Sequence, residues 1–476
     1  MPQLTRRRFL ATAAAPALLS CSSGKPERPP NIVFIMADDL GYGELGCYGQ
    51  EKIHTPNIDR LAAEGMKFTD AYAGCTVCAP SRSVLMTGLH MGHTSVRANT
   101  GGVPLLAEDV TVAELLKPAG YATGCFGKWG LGDIGTDGVP WKQGFDEFFG
   151  YLHQVHAHYY YPRFLYKNGE EFPLPGNENG GRGTYSHDVI AGQALAFIRR
   201  NKDRPFFCYV PFTIPHLELL VPEDSLREYL GKFPEPKPRH DPRGHYADQP
   251  APRAAFAAMI TRMDRDVGRI LDLLKELAID KQTLVIFTSD NGGMFPALDP
   301  EDFFRSNAGL RGHKRDLYEG GIRVPFLARW PGHVPPGSVT HFQTAFWDFL
   351  PTALDLGGVE IPPYADGESI RETLLGGRQE RRREFLYWEL PRYNAKTGKF
   401  AKETPRQAAR WRNWKVVRPK PDGPLELYDL AEDPSETRDL AAEKPEILAK
   451  FEEYLQRARY DPRPQTQPPH DWWTTR

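Results

Sequence analysis

The fold is decided by one stretch of sequence, Asn31-Ile32-Val33-Phe34-Ile35-Met36-Ala37-Asp38-Asp39. Its apolar run is typical of a strand that is buried on both faces of a parallel sheet. Two adjacent carboxylates, Asp38 and Asp39, end the run. Because ligands in open α/β sheets bind beyond the carboxyl ends of the strands, the stretch predicts both a buried strand and one side of a site.

Further apolar runs have the length of ordinary strands and alternate with helical segments. They cover residues 121–126, 206–212, 284–288 and 324–330. One helix is predicted to begin at Thr55-Pro56-Asn57, with Thr55 as the capping residue, and to end at Gly65. The alternation predicts an α/β fold with helices on both faces of the sheet.

Polar residues follow four of these runs at the points where the strands end. They are Asp38 and Asp39, Lys128, His216, and Asp290 with Asn291. Any one of them alone is ordinary loop composition, since Asp-Asn-Gly is also a common turn. Four strand ends that all present polar groups at one edge indicate a functional site.

Three carboxylates and one amide oxygen in this group form a set of hard oxygen ligands. They belong to Asp38, Asp39, Asp290 and Asn291. Such a set suits Ca²⁺ or Mg²⁺ and disfavours zinc. A divalent ion held there would orient an anionic substrate and withdraw charge from an ester oxygen.

Composition excludes some classes of function. The 476 residues contain 59 Lys and Arg against 61 Asp and Glu, with a formal net charge of -2. A chain without a basic field is not expected to bind nucleic acid.

The length allows two unequal domains, and we place a catalytic domain at residues 31–375 and a C-terminal subdomain at residues 376–476.

The first 30 residues are predicted to be an export signal and a linker. Thr5-Arg6-Arg7-Arg8-Phe9-Leu10 precedes a short apolar stretch and resembles a twin-arginine export signal. Leu18-Leu19-Ser20-Cys21 resembles a lipoprotein box, so Cys21 is either lipidated or, after cleavage by a simple signal peptidase near Ala15 or Ser20, lost or left unmodified. The predicted location is the periplasm or cell envelope, with membrane contact only through the signal or a lipid anchor.

The cysteines do not form a disulfide framework, because the number beyond Cys21 is odd and they are spread over a large domain. Cys75-Thr76-Val77-Cys78 has the spacing of a redox pair or of half a zinc site. The chain has no second pair of this kind to complete four sulfur ligands. On the residues alone, Cys78 is a thiol at a helix start, where a thiol pKa is lowered.

One segment carries a family resemblance. Cys78-Ala79-Pro80-Ser81-Arg82, followed after four residues by Thr87-Gly88, resembles the sulfatase signature. Gly127-Lys128-Trp129, Thr288-Ser289-Asp290-Asn291-Gly292 and the block from Tyr318 to Pro325 resemble further family blocks in the same order. The chain is therefore identified as a member of the type I, formylglycine-dependent sulfatases, which are arylsulfatase-like and belong to the alkaline phosphatase-like superfamily. The resemblance implies a large mixed, mostly parallel sheet between helices and a small C-terminal α+β subdomain.

The resemblance also implies a sulfuric ester hydrolase and a role for each matched residue. Cys78 would become formylglycine through a maturation enzyme and would bind one Ca²⁺, with Mg²⁺ as the alternative, together with Asp38, Asp39, Asp290 and Asn291. Arg82 would hold the modified residue, and Lys128, His216 and Lys314 would contact the sulfate and the leaving oxygen. In addition, Asp290 is placed to accept a proton from the attacking hydroxyl and His216 to protonate the leaving alcohol.

One position departs from the family pattern. Many relatives carry His two residues after the lysine, whereas this chain has Gly130. We predict that His158 takes this role, the alternative being a solvated loop histidine.

The substrate is left open within limits. Export and resemblance favour a sulfated sugar over other sulfated small molecules. Residues 217–254 either wall the pocket or cross the surface. Two rival functions are hydrolysis of a phosphodiester or phosphonate and binding of sulfated glycans without turnover.

The C-terminal region has a different pattern. Residues 413–418 and 425–429 predict a hairpin, and residues 445–459 predict a helix with one apolar face.

Overall fold

The structure is a computed structural model that describes residues 28–100, 103–242, 244–294, 298–299 and 301–462. The predicted export signal and Cys21 lie outside the described residues, as does the end of the chain from residue 463.

The described strands form one large sheet, a small sheet and two short pairs. The strands are β1 (Asn31–Ala37), β2 (Met66–Phe68), β3 (Ala71–Tyr72), β4 (Ala122–Lys128), β5 (Glu147–Tyr151), β6 (Phe164–Lys167), β7 (Glu170–Pro173), β8 (Phe206–Pro211), β9 (Thr283–Ser289), β10 (Phe326–Arg329), β11 (Ser338–Thr340), β12 (Thr344–Ala345), β13 (Leu386–Leu390), β14 (Tyr393–Asn394), β15 (Lys399–Phe400), β16 (Arg406–Trp411), β17 (Trp414–Arg418) and β18 (Glu426–Asp429).

The large sheet has the order β11-β2-β10-β9-β1-β8-β4-β5-β6-β7. Its centre is parallel, because β9, β1, β8, β4 and β5 all run in the same direction. The strands β10, β6 and β7 are antiparallel to their neighbours. The prediction of a large mixed sheet that is mostly parallel is confirmed.

Helices pack on both faces of this sheet. The described helices are α1 (Pro56–Ala63), α2 (Cys78–Thr87), α3 (Val112–Leu116), α4 (Ser186–Arg200), α5 (Glu223–Leu226), α6 (Pro252–Glu276), α7 (Glu319–Ile322), α8 (Phe349–Leu356), α9 (Arg371–Leu374) and α10 (Pro445–Arg457), of which α10 packs instead on the small C-terminal sheet. Within the described part of the chain, none of them has the length and apolar character needed to cross a bilayer.

Strand β1 lies near the middle of the sheet and is buried on both sides, as its sequence predicts. Ile32, Phe34 and Met36 belong to the apolar cluster on one face, and Val33 and Ile35 belong to the cluster on the other face. Each of these side chains is 0% exposed. The period-2 alternation of a strand therefore lets one apolar run contribute to two cores.

The prediction that Thr55 caps a helix was wrong. Helix α1 begins at Pro56, but Thr55 makes no side-chain cap hydrogen bond, and its hydroxyl accepts from the N–H of Gly46 at 2.9 Å. The first N–H groups of the helix donate instead to the carboxylate of Asp264 in α6, at 2.9 Å from Asn57 and 2.7 Å from Ile58. A carboxylate at a helix N-terminus is stabilising, and here it comes from a distant element.

Strand ends differ from prediction where a side chain or a proline changes the hydrogen bonding. Strand β4 continues to Lys128, whose register partner is Tyr151 in β5. Strand β10 covers only Phe326–Arg329, because Pro325 has no N–H to donate to a ladder.

The C-terminal strands form a separate antiparallel sheet with the order β13-β16-β17-β18. The predicted hairpin is β17 paired with β18, and the predicted helix is α10, which ends at Arg457. Phe451 and Leu455 of α10 pack against one face of this sheet. On the other face, Trp388 and Val417 belong to the core of the large sheet, so the small sheet has its own helix and also shares the main core.

Candidate active site

Helix α2 carries Cys78 at its first position, and every residue of this helix is buried. The Cys78 thiol donates to Asp38 Oδ1 at 3.3 Å and accepts from the ammonium group of Lys314 at 3.2 Å. Its Sγ lies 3.8 Å from Asp39 Oδ1. The side chain therefore points from the helix start into a cluster of charged groups at the carboxyl edge of the large sheet.

Three carboxylates and one amide of this cluster follow two adjacent parallel strands. Asp38 and Asp39 come after β1, and Asp290 and Asn291 come after β9. The N–H of Asp39 donates to Asp290 Oδ1 at 3.2 Å, and Asn291 Nδ2 donates to Asp39 Oδ1 at 2.8 Å. Asp39 has a φ of 66°, a left-handed conformation that Asp tolerates better than most residues. The structure brings the four predicted oxygen ligands together.

Arg82 and Lys128 are fixed against these carboxylates. Arg82 donates to Asp290 Oδ2 from Nε at 3.1 Å and from Nη2 at 2.7 Å, and its Nη1 donates to the Lys128 carbonyl at 2.5 Å. Lys128 Nζ donates to Asp38 Oδ2 at 2.6 Å. All four side chains are 0% exposed. Charges at this depth persist because each has a charged partner.

Lys314 enters the cluster from the loop that precedes α7. Its Nζ donates to both Asp39 oxygens, at 2.6 and 2.8 Å, and its N–H donates to the Gly293 carbonyl at 3.0 Å. Burial alone would lower the pKa of Lys314, but the acidic groups around it, Asp39 first among them, together outweigh burial and raise that pKa well above its usual range. Lys314 therefore carries a permanent positive charge beside Cys78.

The donor set fits a hard divalent cation. One ligand atom from each of Asp38, Asp39, Cys78 and Asp290 lies within 4.8 Å of all the others. Asn291 Oδ1 is buried and has no hydrogen-bond partner among the described residues. An amide oxygen left without a donor among carboxylates is a suitable cation ligand.

The charges of the cluster balance without a cation. Three carboxylates face three basic side chains, and the six residues are Asp38, Asp39, Asp290, Arg82, Lys128 and Lys314. A divalent ion would therefore leave an excess of two positive charges in a site closed to water. Such a site attracts an anionic group rather than a neutral one.

The thiol of Cys78 is not activated in the way a helix start suggests. Burial, followed by the negative charges of Asp290 and Asp38, raises the pKa of the thiol far above its ordinary value. The expectation of a lowered pKa was wrong, because the carboxylates outweigh the helix N-terminus. Cys75 and Cys78 are both free, and the Cys75 thiol points instead to the Glu389 carbonyl at 3.7 Å.

The pKa values of Asp38 and Asp290 are shifted in opposite directions. Burial opposes ionisation of Asp38, but the basic groups around it, Lys128 first among them, together outweigh burial and hold the pKa of that carboxyl well below its usual range. Burial and the negative charge of Asp38 raise the pKa of Asp290 to about 6. In the cation-free protein, Asp290 is therefore the carboxylate of this pair that takes up a proton first as the pH falls.

The two predicted catalytic histidines stack on each other. The rings of His158 and His216 lie 4.3 Å apart at 16°, and His216 Nε2 is 3.5 Å from Asp39 Oδ2. Burial and then the charge of Lys314 lower the pKa of His216, and burial and then His216 lower that of His158. Both imidazoles are neutral in the protein without substrate.

A cleft of about 830 Å³ opens beside these histidines. His245 and Tyr246 line it, and both also contact His158: His245 Nε2 is 2.9 Å from His158 Nδ1, and the Tyr246 ring is 5.6 Å from the His158 ring. Part of the segment 217–254 therefore lines a cleft next to the stacked histidines, which favours the first of the two alternatives left open by the sequence.

A second group of possible metal ligands lies elsewhere, at His90, His93 and Asp366. His90 Nδ1 accepts from the N–H of Gly92 at 3.1 Å, so the proton of a neutral ring is on Nε2. A protonated nitrogen cannot ligate a metal. His93 Nδ1 lies 2.9 Å from both Asp366 oxygens. We interpret the group as a hydrogen-bonded cluster that stabilises the fold and not as a metal site.

The sheet and the cluster together define a class of enzyme that acts on anionic esters at the carboxyl edge of a large mixed sheet. The sulfatase family profile matches residues 30–359, and the profile for the C-terminal part of N-sulphoglucosamine sulphohydrolase matches residues 312–461. The chain belongs to the sulfatase family and is a sulfuric ester hydrolase.

Known proteins show the same similarity over most of the chain. The chain is 35% identical to arylsulfatase A of Homo sapiens, covering 88% of this chain and 86% of that protein. It is 34% identical to N-acetylgalactosamine-6-sulfatase of Sus scrofa, covering 77% of this chain and 69% of that protein. The crystal structure of Ps i-CgsB in complex with k-i-k-neocarrahexaose superposes with a TM-score of 0.77 at 27% identity, covering 94% of this chain and 96% of that chain.

Sequence reasoning assigned no role to Gln154 or Tyr246. Gln154 is 3% exposed, and Tyr246 contacts the stacked histidines. Neither follows a predicted strand directly or belongs to a quoted family block. The only signal was their position in two long polar segments, which does not show where a side chain points.

Proposed function

We propose that this sulfatase removes sulfate from a carbohydrate, using formylglycine formed from Cys78 and a divalent cation, with Ca²⁺ preferred over Mg²⁺. The observation that carries the proposal is the position of Cys78, between the Asp38 carboxylate at 3.3 Å and the Lys314 ammonium group at 3.2 Å. A thiol with a raised pKa in that position is a poor nucleophile. Conversion to an aldehyde hydrate would supply one hydroxyl that attacks sulfur and a second that later expels sulfate.

The basic side chains are the proposed binding groups for the sulfate. Lys128 donates to Asp38 and Lys314 donates to Asp39, the two carboxylates that lie next to the Cys78 thiol. Arg82 holds Asp290 through two hydrogen bonds and would keep the modified residue in position. A bound cation would add Lewis acidity toward the sulfate oxygens. Together these charges stabilise the negative charge that develops on the sulfuryl group.

His216 is the proposed acid for the leaving alcohol. Its Nδ1 is buried without a hydrogen-bond partner among the described residues, and its Nε2 is near Asp39. The ring is neutral because burial and Lys314 lower its pKa. An anionic sulfate ester brought next to the ring raises that pKa again, so substrate binding itself would charge the acid.

The cleft supports a carbohydrate as the alcohol part of the ester. It is lined by aromatic rings, by basic groups and by acidic groups, including Tyr159, Tyr161, Arg163, Arg182, Glu178 and Glu218. Rings that stack on a sugar face and paired donors and acceptors for hydroxyls are the groups that bind a pyranose. The names N-acetylgalactosamine-6-sulfatase and neocarrahexaose among the similar proteins point to the same class of substrate.

Mass spectrometry and a substrate panel test the proposal together. The peptide that contains Cys78, from protein made in a host that matures a control sulfatase, should be lighter by about 18 Da. The same protein should release sulfate from sulfated sugars and should not hydrolyse matched phosphate diesters at a comparable rate. An unmodified thiol in fully active protein contradicts the formylglycine, and faster phosphate release favours the rival hydrolase.

The cleft has its own test. Arg182 is an exposed residue of the cleft lining. Arg182→Ala should raise KM for a sulfated disaccharide and leave a small aryl sulfate unaffected, because only the larger substrate reaches the cleft. Arg227→Ala, at an exposed arginine paired with Glu223 in its own helix, is the matched control. Equal effects on both substrates would contradict the assignment of the cleft.

We also propose export to the periplasm or cell envelope and maturation by a formylglycine-generating enzyme. The support is the sequence of residues 1–30 and the Cys78 signature. Fractionation of the native host, with metabolic labelling by a fatty acid, distinguishes a lipid on Cys21 from a cleaved signal.

A further inference from the structure

Gln154 lies three residues beyond the end of β5. Its side chain is 3% exposed, and neither Nε2 nor Oε1 has a hydrogen-bond partner among the described residues. Buried amides are almost always hydrogen-bonded, because an unpaired donor or acceptor loses its interaction with water and gains nothing. A side chain with both atoms unpaired indicates that a partner is missing.

The amide of Gln154 occupies the space beside Gly130. A Cβ added at Gly130 would lie 2.1 Å from Gln154 Nε2 and 2.9 Å from its Cδ. The two segments are tied together, because the N–H of Gly130 donates to the Leu152 carbonyl at 2.9 Å. Gln154 therefore fills the volume that a side chain at position 130 would take.

This volume lies at the carboxyl edge where the site is. Gly130 is two residues beyond Lys128, whose Nζ binds Asp38 at 2.6 Å. On its other side, Gln154 leads into the turn His156–His158, and His158 stacks on His216. The unpaired amide thus lies beside the end of β4, in the segment that leads to the stacked histidines.

We propose that Gln154 is a substrate-binding residue of this sulfatase, an inference that rests on the proposed function. Its Nε2 donates to an oxygen of the bound sulfate ester, and its Oε1 accepts from a hydroxyl group in the same complex. Position 130 is glycine because its backbone is left-handed, with a φ of 76°, and because the amide fills the space that a side chain would need. Gln154 rather than His158 then fills the position left open by Gly130.

Replacement by an apolar residue of similar size separates binding from structure. Gln154→Leu removes two unpaired polar atoms, so the variant should melt at a higher temperature than the parent protein. The same variant should lose about tenfold or more in kcat/KM, because the partners of the substrate oxygens are lost. A purely structural residue would not gain stability while losing activity.

Gln143 is a matched control of the same residue type. It is 0% exposed, and its Nε2 donates to the Asp137 carbonyl at 2.9 Å. Gln143→Leu should therefore melt at a lower temperature and keep the kcat/KM of the folded protein.

A double-mutant cycle tests the shared space: Gly130→Ala should be much less damaging in the Gln154→Ala background, since backbone strain at position 130 is common to both.

The outcomes separate this inference from the proposed function. Sulfate release by the parent protein that depends on Cys78 establishes the function without reference to Gln154. If Gln154→Leu keeps the parent kcat/KM for every substrate that the parent hydrolyses, the inference is overturned, and the amide holds only buried water.

Discussion

At the scale of single residues, the chemistry depends on Cys78. Its thiol is held between a carboxylate and an ammonium group, and burial with two nearby carboxylates raises its pKa. The same contacts would hold two hydroxyls of a modified residue equally well, since one neighbour accepts and the other donates. The position suits an oxygen nucleophile better than a sulfur one.

We expect Cys78→Ala to lower kcat by roughly 10⁴-fold or more, because the nucleophile itself is removed. Folding should be retained, since Asp38 keeps its ion pair with Lys128. Sulfate release and thermal unfolding measure the two effects. Cys75→Ala is the control, because Cys75 is equally buried but lies outside the cluster. Full activity of Cys78→Ala would disprove the proposed nucleophile.

Cation binding should depend on pH through Asp290. The pKa of this carboxyl is raised to about 6 in the cation-free protein, first by burial and then by Asp38. Below that pH the cation must displace a proton, so affinity should fall about tenfold per pH unit, and above it affinity should level off. Titration calorimetry in two buffers of different ionisation enthalpy counts the released proton. Affinity independent of pH between 5 and 7 would contradict this account.

Most of the cluster could be predicted from the sequence, and the reason is local. Asp38 and Asp290 follow apolar runs directly, and a strand end fixes where the next side chain lies. Gln154 could not be predicted, because its importance depends on the missing side chain at Gly130 and on two unpaired atoms. Both features depend on how the segments after β4 and β5 pack together, and no single stretch of sequence shows this.

At the scale of elements, helix α2 must keep a fixed position relative to the sheet so that Cys78 and Arg82 reach the cluster. Gly74 lies against this helix. A Cβ at Gly74 would be 2.5 Å from Val84 Cβ and 2.8 Å from the Ser81 carbonyl oxygen. The close approach of the preceding segment therefore requires glycine there.

Gly74→Ala should destabilise the protein by about 1–3 kcal/mol, because α2 has to move to admit the methyl group. Activity of the folded fraction should fall as well, since Cys78 moves with the helix. Gly192→Ala is the matched control: this glycine lies inside α4, and an added Cβ meets nothing within 4 Å. That variant should be more stable by about 0.5–1 kcal/mol with unchanged activity. Denaturant unfolding and sulfate release distinguish the two.

Strands that are buried along their whole length could be predicted from the sequence, and strands that are only partly buried were harder to predict. Strands β1, β4, β8 and β9 were predicted because each contains a short, continuous apolar run, whereas β5, which also lies in the parallel centre of the sheet, was not. Strands of two or three residues, such as β2 and β3, carry no pattern long enough to detect. The direction of β10 was not predicted either, because a run of apolar residues does not indicate whether its neighbour is parallel.

At the scale of the whole molecule, the small sheet is joined to the large one by buried charges. Lys415 in β17 contacts Glu319 in α7 and Glu436, each at 2.9 Å, and all three are 0% exposed. Glu319 also accepts from the Tyr72 hydroxyl at 2.8 Å. One lysine of the C-terminal region therefore neutralises a carboxylate that lies beside the catalytic core.

Lys415→Met should lower the free energy of unfolding by about 3–5 kcal/mol, because it removes the cation that two buried carboxylates share, and among the described residues only Glu319 keeps a second one, Arg323 at 3.3 Å. Lys420→Met, at an exposed lysine after the same strand, should change stability by less than about 0.5 kcal/mol. Denaturant unfolding of both variants measures the difference. Similar stability of the two variants would show that the buried pair contributes nothing.

The proposed division at residues 31–375 and 376–476 marks a change of architecture, and we expect it not to mark two independently folding units. Trp388 of the small sheet packs on Tyr72 at 5.1 Å and donates from Nε1 to the Ala73 carbonyl at 2.8 Å. A chain that ends at residue 375 would expose this surface and leave Glu319 without Lys415. It should therefore be insoluble or lack fixed tertiary structure, and the full chain should unfold in a single calorimetric transition, since the two parts share one core. Two separate transitions, or a soluble and active fragment of residues 31–375, would show instead that the small sheet is an independent addition to the catalytic domain.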